Sequence, residues 1–287
     1  MELFLLNSTI AKAMPLLLAA LGGLVSERSG VINFALEGMM LMGAFFAVFG
    51  SYYTGDPFLG IMAAIAAGGV MGLLHAFGTL IMGVNQLVSS IALNLLALGT
   101  TGFLLNQIFG VYGTSPSAPS VGSVQIGPLS VSPFVLFAGV LLIVLWIFLY
   151  RTRAGLRLRA AGEGGSEAFA LGVNVKKIRF CAVVASGCIA AVGGAYISLG
   201  EMSLFIENMT NGRGYLAVAV LICGRWRPFP VMWFALLFGF ATAISEYVQV
   251  SFSDIPLQIT LMLPFVLTLL VLAGFFGGAK PPAGLGK

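Results

Sequence analysis

The sequence predicts an all-α, polytopic transmembrane helical bundle, and three observations carry that reading. Of 287 residues, 59% are apolar and only 8% are charged, with a mean hydropathy of +1.03. A water-soluble globule of this length needs far more polar surface, so lipid is the expected main solvent. The apolar residues also come in runs of about 20, the length that crosses a bilayer core as a helix. Finally, these runs do not alternate as barrel strands do, and in hydrocarbon an unclosed strand leaves its backbone unpaired.

Taken in order, the apolar runs predict about nine segments, near 9–26, 31–53, 57–82, 87–109, 133–150, 178–200, 213–224, 229–249 and 257–276. No positively charged region precedes the first run and no small-residue cleavage site follows it, so this span is expected to stay in the mature protein. Glycines at 68, 69, 72, 78, 187, 193 and 194 let helices approach closely, which is how bundles associate without a hydrophobic gradient between helix and lipid. The longest polar stretches, 110–132 and 151–177, are too short to hold a core, so residues 1–287 form a single transmembrane domain. The first of these, with Ser115, Pro116, Pro119, Gly127 and Pro128, reads as a turn-rich external loop, either a flat cap or a plain connector.

Two places break the helical pattern. From Ser26 to Gly38, charges and glycines interrupt apolar sequence. From Glu201 to Tyr215, a polar stretch leads into an apolar run of about 11 residues, too short to span. Interrupted segments of this kind point to a transport pathway, because unwound backbone at membrane depth must face a cavity or buried protein.

Charge sets the expected orientation. Seven of the 14 Lys and Arg lie in the loop after the fifth segment, at 151, 153, 157, 159, 176, 177 and 179, opposed only by Glu163 and Glu167. A short cationic loop is retained in the cytoplasm, which puts the N-terminus outside, the C-terminus inside, and a docking site for a cytosolic partner at 151–177. The net charge of +4 reflects this orientation and not nucleic acid, since no aromatic residues interleave with the cations.

Catalytic chemistry has little to work with. Cys181, Cys188 and Cys223 sit in apolar segments, and the first two stand about 10.5 Å apart by helical rise, too far to bridge. The one histidine, His75, reads as a packed, hydrogen-bonded residue, and no metal ligand set is present. Neither G-x-S-x-G, a P-loop nor H-E-x-x-H occurs, so the chain is expected not to be an enzyme, and any ATP that drives it binds another chain. A charge within a span costs about 2.5–3.5 kcal/mol on insertion scales, so Glu37 and Glu246 need a partner or a watery cavity. Glu37 is either a pathway residue, a partner for Arg28 or a backbone cap at the helix break; Glu246 is a pathway residue or a solvated one. Asn33, Ser89, Ser90, Asn94, Asn106 and Gln107 are cheaper polar groups, for the pathway or for interhelical hydrogen bonds, and Arg213 is a pathway residue or an interfacial anchor.

Three blocks in this order carry a resemblance. They are Glu27-Arg28-Ser29-Gly30-Val31-Ile32-Asn33-Phe34-Ala35-Leu36-Glu37-Gly38; Arg159-Ala160-Ala161-Gly162-Glu163 with Glu167-Ala168 and Gly172-Val173; and Gly212-Arg213-Gly214-Tyr215 with Ala217, Ala219, Gly224, Trp226 and Pro228. Over roughly 14–276 the chain resembles the membrane permease subunits of bacterial ABC importers for sugars, branched-chain amino acids and nucleosides. The first block most resembles the shorter permease of basic-membrane-protein-type purine nucleoside importers. The resemblance implies an inner-membrane subunit that pairs with a second homologous permease, with a cytoplasmic ABC ATPase holding ATP and magnesium, an external substrate-binding lipoprotein, and no cofactor on this chain. It implies a coupling helix from Glu163 through Gly172, with Arg159, Glu163, Glu167, Ala168 and Gly172 meeting the ATPase and the small residues fitting a cleft. The motif departs from the commoner G-E-N-P-x-A-A by reading Gly164-Gly165-Ser166, which reshapes the start of that helix. For a neutral nucleoside the pathway is expected to use Asn33, Glu37, Ser90, Asn94, Arg213 and Tyr215. Riboflavin, simple sugars and amino acids are alternative solutes, and a stand-alone ion-coupled transporter is the alternative class.

Overall fold

The computed structural model describes residues 2–122, 124–126, 129–251, 260, 262–266, 269–270 and 280–286. Its helices are α1 Glu2–Arg28, α2 Leu36–Thr54, α3 Pro57–Ala76 continued by a π-helical turn to Ile81, α4 Gln86–Phe109, α5 Pro133–Arg151, α6 Arg153–Glu163, α7 Gly165–Ala170, α8 Val175–Ala195 continued by a π-helical segment to Met202, α9 Arg213–Cys223 and α10 Pro228–Ser251. Among the described residues six helices are long and apolar enough to cross a membrane: Leu5–Arg28, Pro57–Ile81, Gln86–Phe109, Pro133–Arg151, Val175–Met202 and Pro228–Gln249. Of the expected last span, residues 260, 262–266, 269 and 270 are helical. The rest of it lies outside the described residues.

Local chemistry sets the helix ends. Asp56 caps α3 by accepting from the Phe58 amide, with Pro57 at the first turn, and Asn85 caps α4 through the Leu87 and Val88 amides. Gly55 and Gly110 close α2 and α4 in the left-handed conformation that a side chain resists.

The core is α2, enclosed by α3, α8, α9 and α4, while α1 packs on α8 and α10. Phe45, Leu36, Met39 and Met40 of α2 are fully buried. Small residues allow the closest crossings. A Cβ on Gly187 would strike the Gly68 carbonyl of α3, and one on Gly194 would strike the Met40 carbonyl of α2. Cys181, Cys188 and Cys223 are free.

Two regular helices are interrupted where the sequence predicts. Between α1 and α2, residues 29–35 are non-helical, with Ser26 Oγ donating to the Val31 carbonyl at 2.8 Å. Between α8 and α9, residues 203–212 turn through left-handed Ser203, Asn208 and Asn211. The loop after α4 is more structured than its sequence suggests. It carries a short antiparallel pair, β1 Val124–Ile126 and β2 Leu129–Val131. The amides of Ser115, Ala118 and Val121 donate to the carbonyls of Phe205, Ser203 and Leu199, so the loop lies against the second break.

The basic stretch 151–179 folds as α6, α7 and the start of α8, not as an open loop. It lies at the same end of the bundle as Arg28 and the tail 282–286. Lys12 stands sixteen residues before Arg28 on α1, about 24 Å toward the opposite end by helical rise.

Candidate functional site

The two breaks meet through Glu37. In the first turn of α2, its Oε1 accepts from the Gly212 amide at 2.8 Å and its Oε2 from the Gly214 amide at 2.6 Å. These are donors at the N-terminus of α9, which no carbonyl of the helix itself can reach. A carboxylate there satisfies the donors and complements the positive end of the helix dipole. Gly214 is required by space, since a Cβ would strike the Glu37 backbone. Of the alternatives open in the sequence, Glu37 is the backbone cap, and Arg28 goes elsewhere.

Around this junction lies a neutral polar ledge. The Asn94 side chain of α4 donates to the Phe34 carbonyl at 3.0 Å and to the Tyr215 hydroxyl at 2.9 Å, and accepts from the Gly38 amide at 2.8 Å. Ser90 Oγ accepts from the Phe34 amide at 3.2 Å and donates to the Gln86 carbonyl. The Asn94–Tyr215 edge of the ledge is open: Tyr215 is 47% exposed, Leu95, Leu96 and Leu98 of α4 are exposed, and Ser90 is fully buried behind it. Asn33 is not on this surface. It is fully buried, donating to Ser186 Oγ at 2.9 Å and accepting from the Ala35 amide, and so holds the break against α8. His75 is likewise buried between Ser89 and the Ile32 carbonyl, each at 3.0 Å.

Arg213 also leaves the ledge. It faces Glu201 at 3.6 Å, while Lys12 of α1 bridges Glu201 at 3.2 Å and Glu246 of α10 at 2.9 Å. Two cations and two carboxylates thus join α1, α10 and both sides of the second break, which makes each charge tolerable within an apolar bundle. Sequence reasoning missed Lys12 and Glu201 as partners, since no spacing links positions 12, 201, 213 and 246. A second opening of about 600 Å3 lies further along α4, with Gly102, Asn106 and Gln107 facing Glu207.

At the basic end, α6 begins at Thr152, whose Oγ1 accepts from the Gly155 amide, and ends at Gly164, where the chain leaves helical geometry before α7. The expected helix from Glu163 through Gly172 is therefore shorter, Gly165–Ala170, because Gly164-Gly165 break it from α6. Glu163 pairs with Arg28 at 3.5 Å, and the Arg28 Nε donates to the Trp226 carbonyl at 2.8 Å. Trp226 in turn donates its indole N–H to buried Glu27. Arg159 stacks on the Tyr150 ring, 5.0 Å from its centroid. Glu167 is exposed, and its own backbone amide, then the Ser166 hydroxyl, hold it below the usual carboxylate range.

The small residues of this segment divide: Ala170 and Gly172 are exposed and Ala168 is not. Ala168 is buried, and Gly172 has open space around it, its role being its left-handed φ of +82°. Phe169 and Leu171 stand out at 72% and 85% exposure. Two large apolar residues in a stretch otherwise rich in small and charged ones were the available sequence signal.

The geometry agrees with what the chain is similar to. The family described as branched-chain amino acid transport system / permease component matches residues 5–272. The guanosine ABC transporter permease protein NupQ of Bacillus subtilis is 37% identical, with 96% of this chain and 92% of that protein covered. A putative glucose ABC transporter permease protein, TsgC13 of Haloferax volcanii, is 38% identical over 84% of this chain and 76% of its own length. The nucleoside ABC transporter permease protein NupC of Lactococcus lactis is 34% identical over 93% and 90%. Among solved structures, PsaBC from Streptococcus pneumoniae shares the fold, with a TM-score of 0.51 at 14% identity and coverage of 94% and 91%. A multi-pass helical bundle with two interrupted helices, matched over nearly its whole length, belongs to the family of branched-chain amino acid transport system permease components.

Proposed function

We propose that this chain is one permease of an ATP-binding-cassette importer for nucleosides, moving a neutral, amphipathic solute past the Asn94–Tyr215 ledge. The observation that carries the reading is the ledge itself. It offers the Asn94 amide and the Tyr215 hydroxyl beside exposed leucines, while the nearby carboxylate, Glu37, is committed to the α9 amides. A nucleoside presents neutral donors and acceptors with an apolar base face, which suits such a surface better than a fixed charge. Guanosine and nucleoside permeases are among the relatives aligned over more than nine-tenths of this chain, which supports this solute class.

The remaining assignments follow from the same machinery. A second homologous permease covers the exposed face of α4, an ATPase that hydrolyses ATP docks at α6–α7, and an external binding protein delivers solute at the opposite end. The basic end is cytoplasmic and the start of α1 is outside. A cysteine at Ser166 is then shielded from an impermeant external thiol reagent and one at Ser117 is labelled; the reverse pattern overturns the orientation.

The glucose relative favours a sugar as the second reading. Reconstituting the complex with its ATPase and binding protein and competing labelled guanosine uptake with unlabelled nucleosides and hexoses separates the two. Nucleosides are expected to compete at concentrations at least tenfold below hexoses. Competition by glucose alone overturns the nucleoside reading.

A further inference from the structure

The residues that close the described chain are held by contacts that the importer reading does not use. The Gly284 amide donates to the Gly162 carbonyl at 2.8 Å, the Gly286 amide to the Gly30 carbonyl at 3.1 Å, and the Ala283 amide to Glu163 Oε2 at 3.2 Å. The segment thus lies across two places far apart in sequence, the end of α6 and the first helix break. The fit is close. A Cβ on Gly284 would stand 2.7 Å from the Gly162 carbonyl oxygen, and one on Gly286, whose φ is +81°, would stand 3.0 Å from Ile32 Cδ1. Arg179 completes the joint by donating to the Ser29 and Ala161 carbonyls, each at 3.1 Å.

Both places carry function in the reading above, on which this inference rests. Gly162-Glu163 leads into α7, the segment that meets the ATPase. Gly30 leads through Ile32, whose carbonyl holds His75, to Phe34, whose carbonyl and amide anchor Asn94 and Ser90 of the ledge. Ala283 and Gly284 also form one wall of a cleft of about 820 Å3 whose other walls are Glu163, Phe169, Asn174 and Lys176.

We propose that residues 282–286 are a coupling strap, which makes the ATPase-contacting segment and the first helix break move as one body. Movement imposed on α6–α7 then reaches the ledge by hydrogen-bonded backbone and not by side chains alone. Hydrogen-bond networks that join rigid elements are among the carriers of coupling between distant sites.

The test uses the full transporter with its ATPase and binding protein in proteoliposomes. Two variants are compared with the native chain, a deletion of 281–287, which removes the strap without a clash, and Gly284→Val, which forces it off Gly162. Both are expected to assemble with the ATPase in native yield and to retain its basal hydrolysis. Uptake per assembled complex is expected to fall at least tenfold, with loss of the stimulation of hydrolysis by loaded binding protein. Native uptake and stimulation in both variants overturn the strap. Failure of both to assemble overturns it too, because the tail is then a folding element. If the native chain itself retains no ATPase, the importer reading fails, and that result is distinct from either.

Discussion

Glu37 and Glu201 are both carboxylates within an apolar bundle, and both secure the break that precedes α9, yet they are satisfied in different ways. Glu37 bonds only backbone amides, at 2.8 and 2.6 Å, and brings no cation with it. Glu201 lies between Lys12 and Arg213, and Lys12 extends the charge to Glu246. The difference separates a neutral zone beside the ledge from a charged clasp beside α1 and α10. A helix N-terminus binds an anion without a counter-ion. In the proposed function, a solute at the ledge meets the Asn94 amide and the Tyr215 hydroxyl, while Lys12 and Arg213 stay in the clasp.

The comparison breaks most readily at Glu37. Glu37→Leu strands the buried Gly214 amide, at about 1–3 kcal/mol, and the part-buried Gly212 amide, which adds less. The expected outcome is failure of the folded chain to accumulate in membranes, with Glu37→Gln, which keeps one acceptor oxygen, recovering part of the yield. A Glu37→Leu chain of native thermal midpoint in detergent would show that the breaks are held by other contacts. At the clasp, Lys12→Met leaves Glu201 with Arg213 alone and Glu246 without its cation. A loss of about 1–3 kcal/mol follows, read as a lower unfolding midpoint. An unchanged midpoint would mean that the clasp contributes no net stability.

Smaller effects sharpen the picture at the basic end. Gly172→Ala meets no atom within 4 Å but must hold φ near +82°, a cost of about 1–2 kcal/mol. It is expected to weaken ATPase co-purification moderately with no loss of folded protein. Phe169→Ser removes an exposed apolar side chain and leaves the chain's own stability within about 0.5 kcal/mol, while retention of ATPase falls severalfold. Full retention would move the docking surface elsewhere.

Much of this was legible in the sequence. Composition and run length gave the helical membrane fold, and charges and glycines within apolar sequence located both breaks, because both signals are local. The partners were less legible. Glu37 was narrowed to a pathway role, a pairing with Arg28 or a backbone cap, but the amides of Gly212 and Gly214 lie 175 and 177 residues away, and no pattern in one sequence encodes such a contact. Lys12 was unremarkable for the same reason. Asn33 and Asn94 read alike as polar groups in apolar surroundings, yet packing buries one against Ser186 and leaves the other beside exposed Tyr215. In α7 the small residues suggested an outward close fit, and Ala170 is indeed exposed, but Ala168 is not. Helical phase instead turns Ala168 inward and leaves Phe169 outside.

The central claim is that the neutral ledge contacts the solute. Its most direct test is ATP-driven uptake of labelled guanosine by proteoliposomes containing the full complex, comparing the native chain with Tyr215→Phe. This variant removes one hydroxyl that accepts from Asn94 and leaves the ring in place. In this account the hydroxyl donates its own proton to the solute; losing one hydrogen bond of that kind is worth about 0.5–1.5 kcal/mol, so uptake is predicted to fall roughly 2- to 12-fold, with native assembly and native basal ATP hydrolysis. Unchanged guanosine uptake by Tyr215→Phe across the full range of guanosine concentrations would contradict the account.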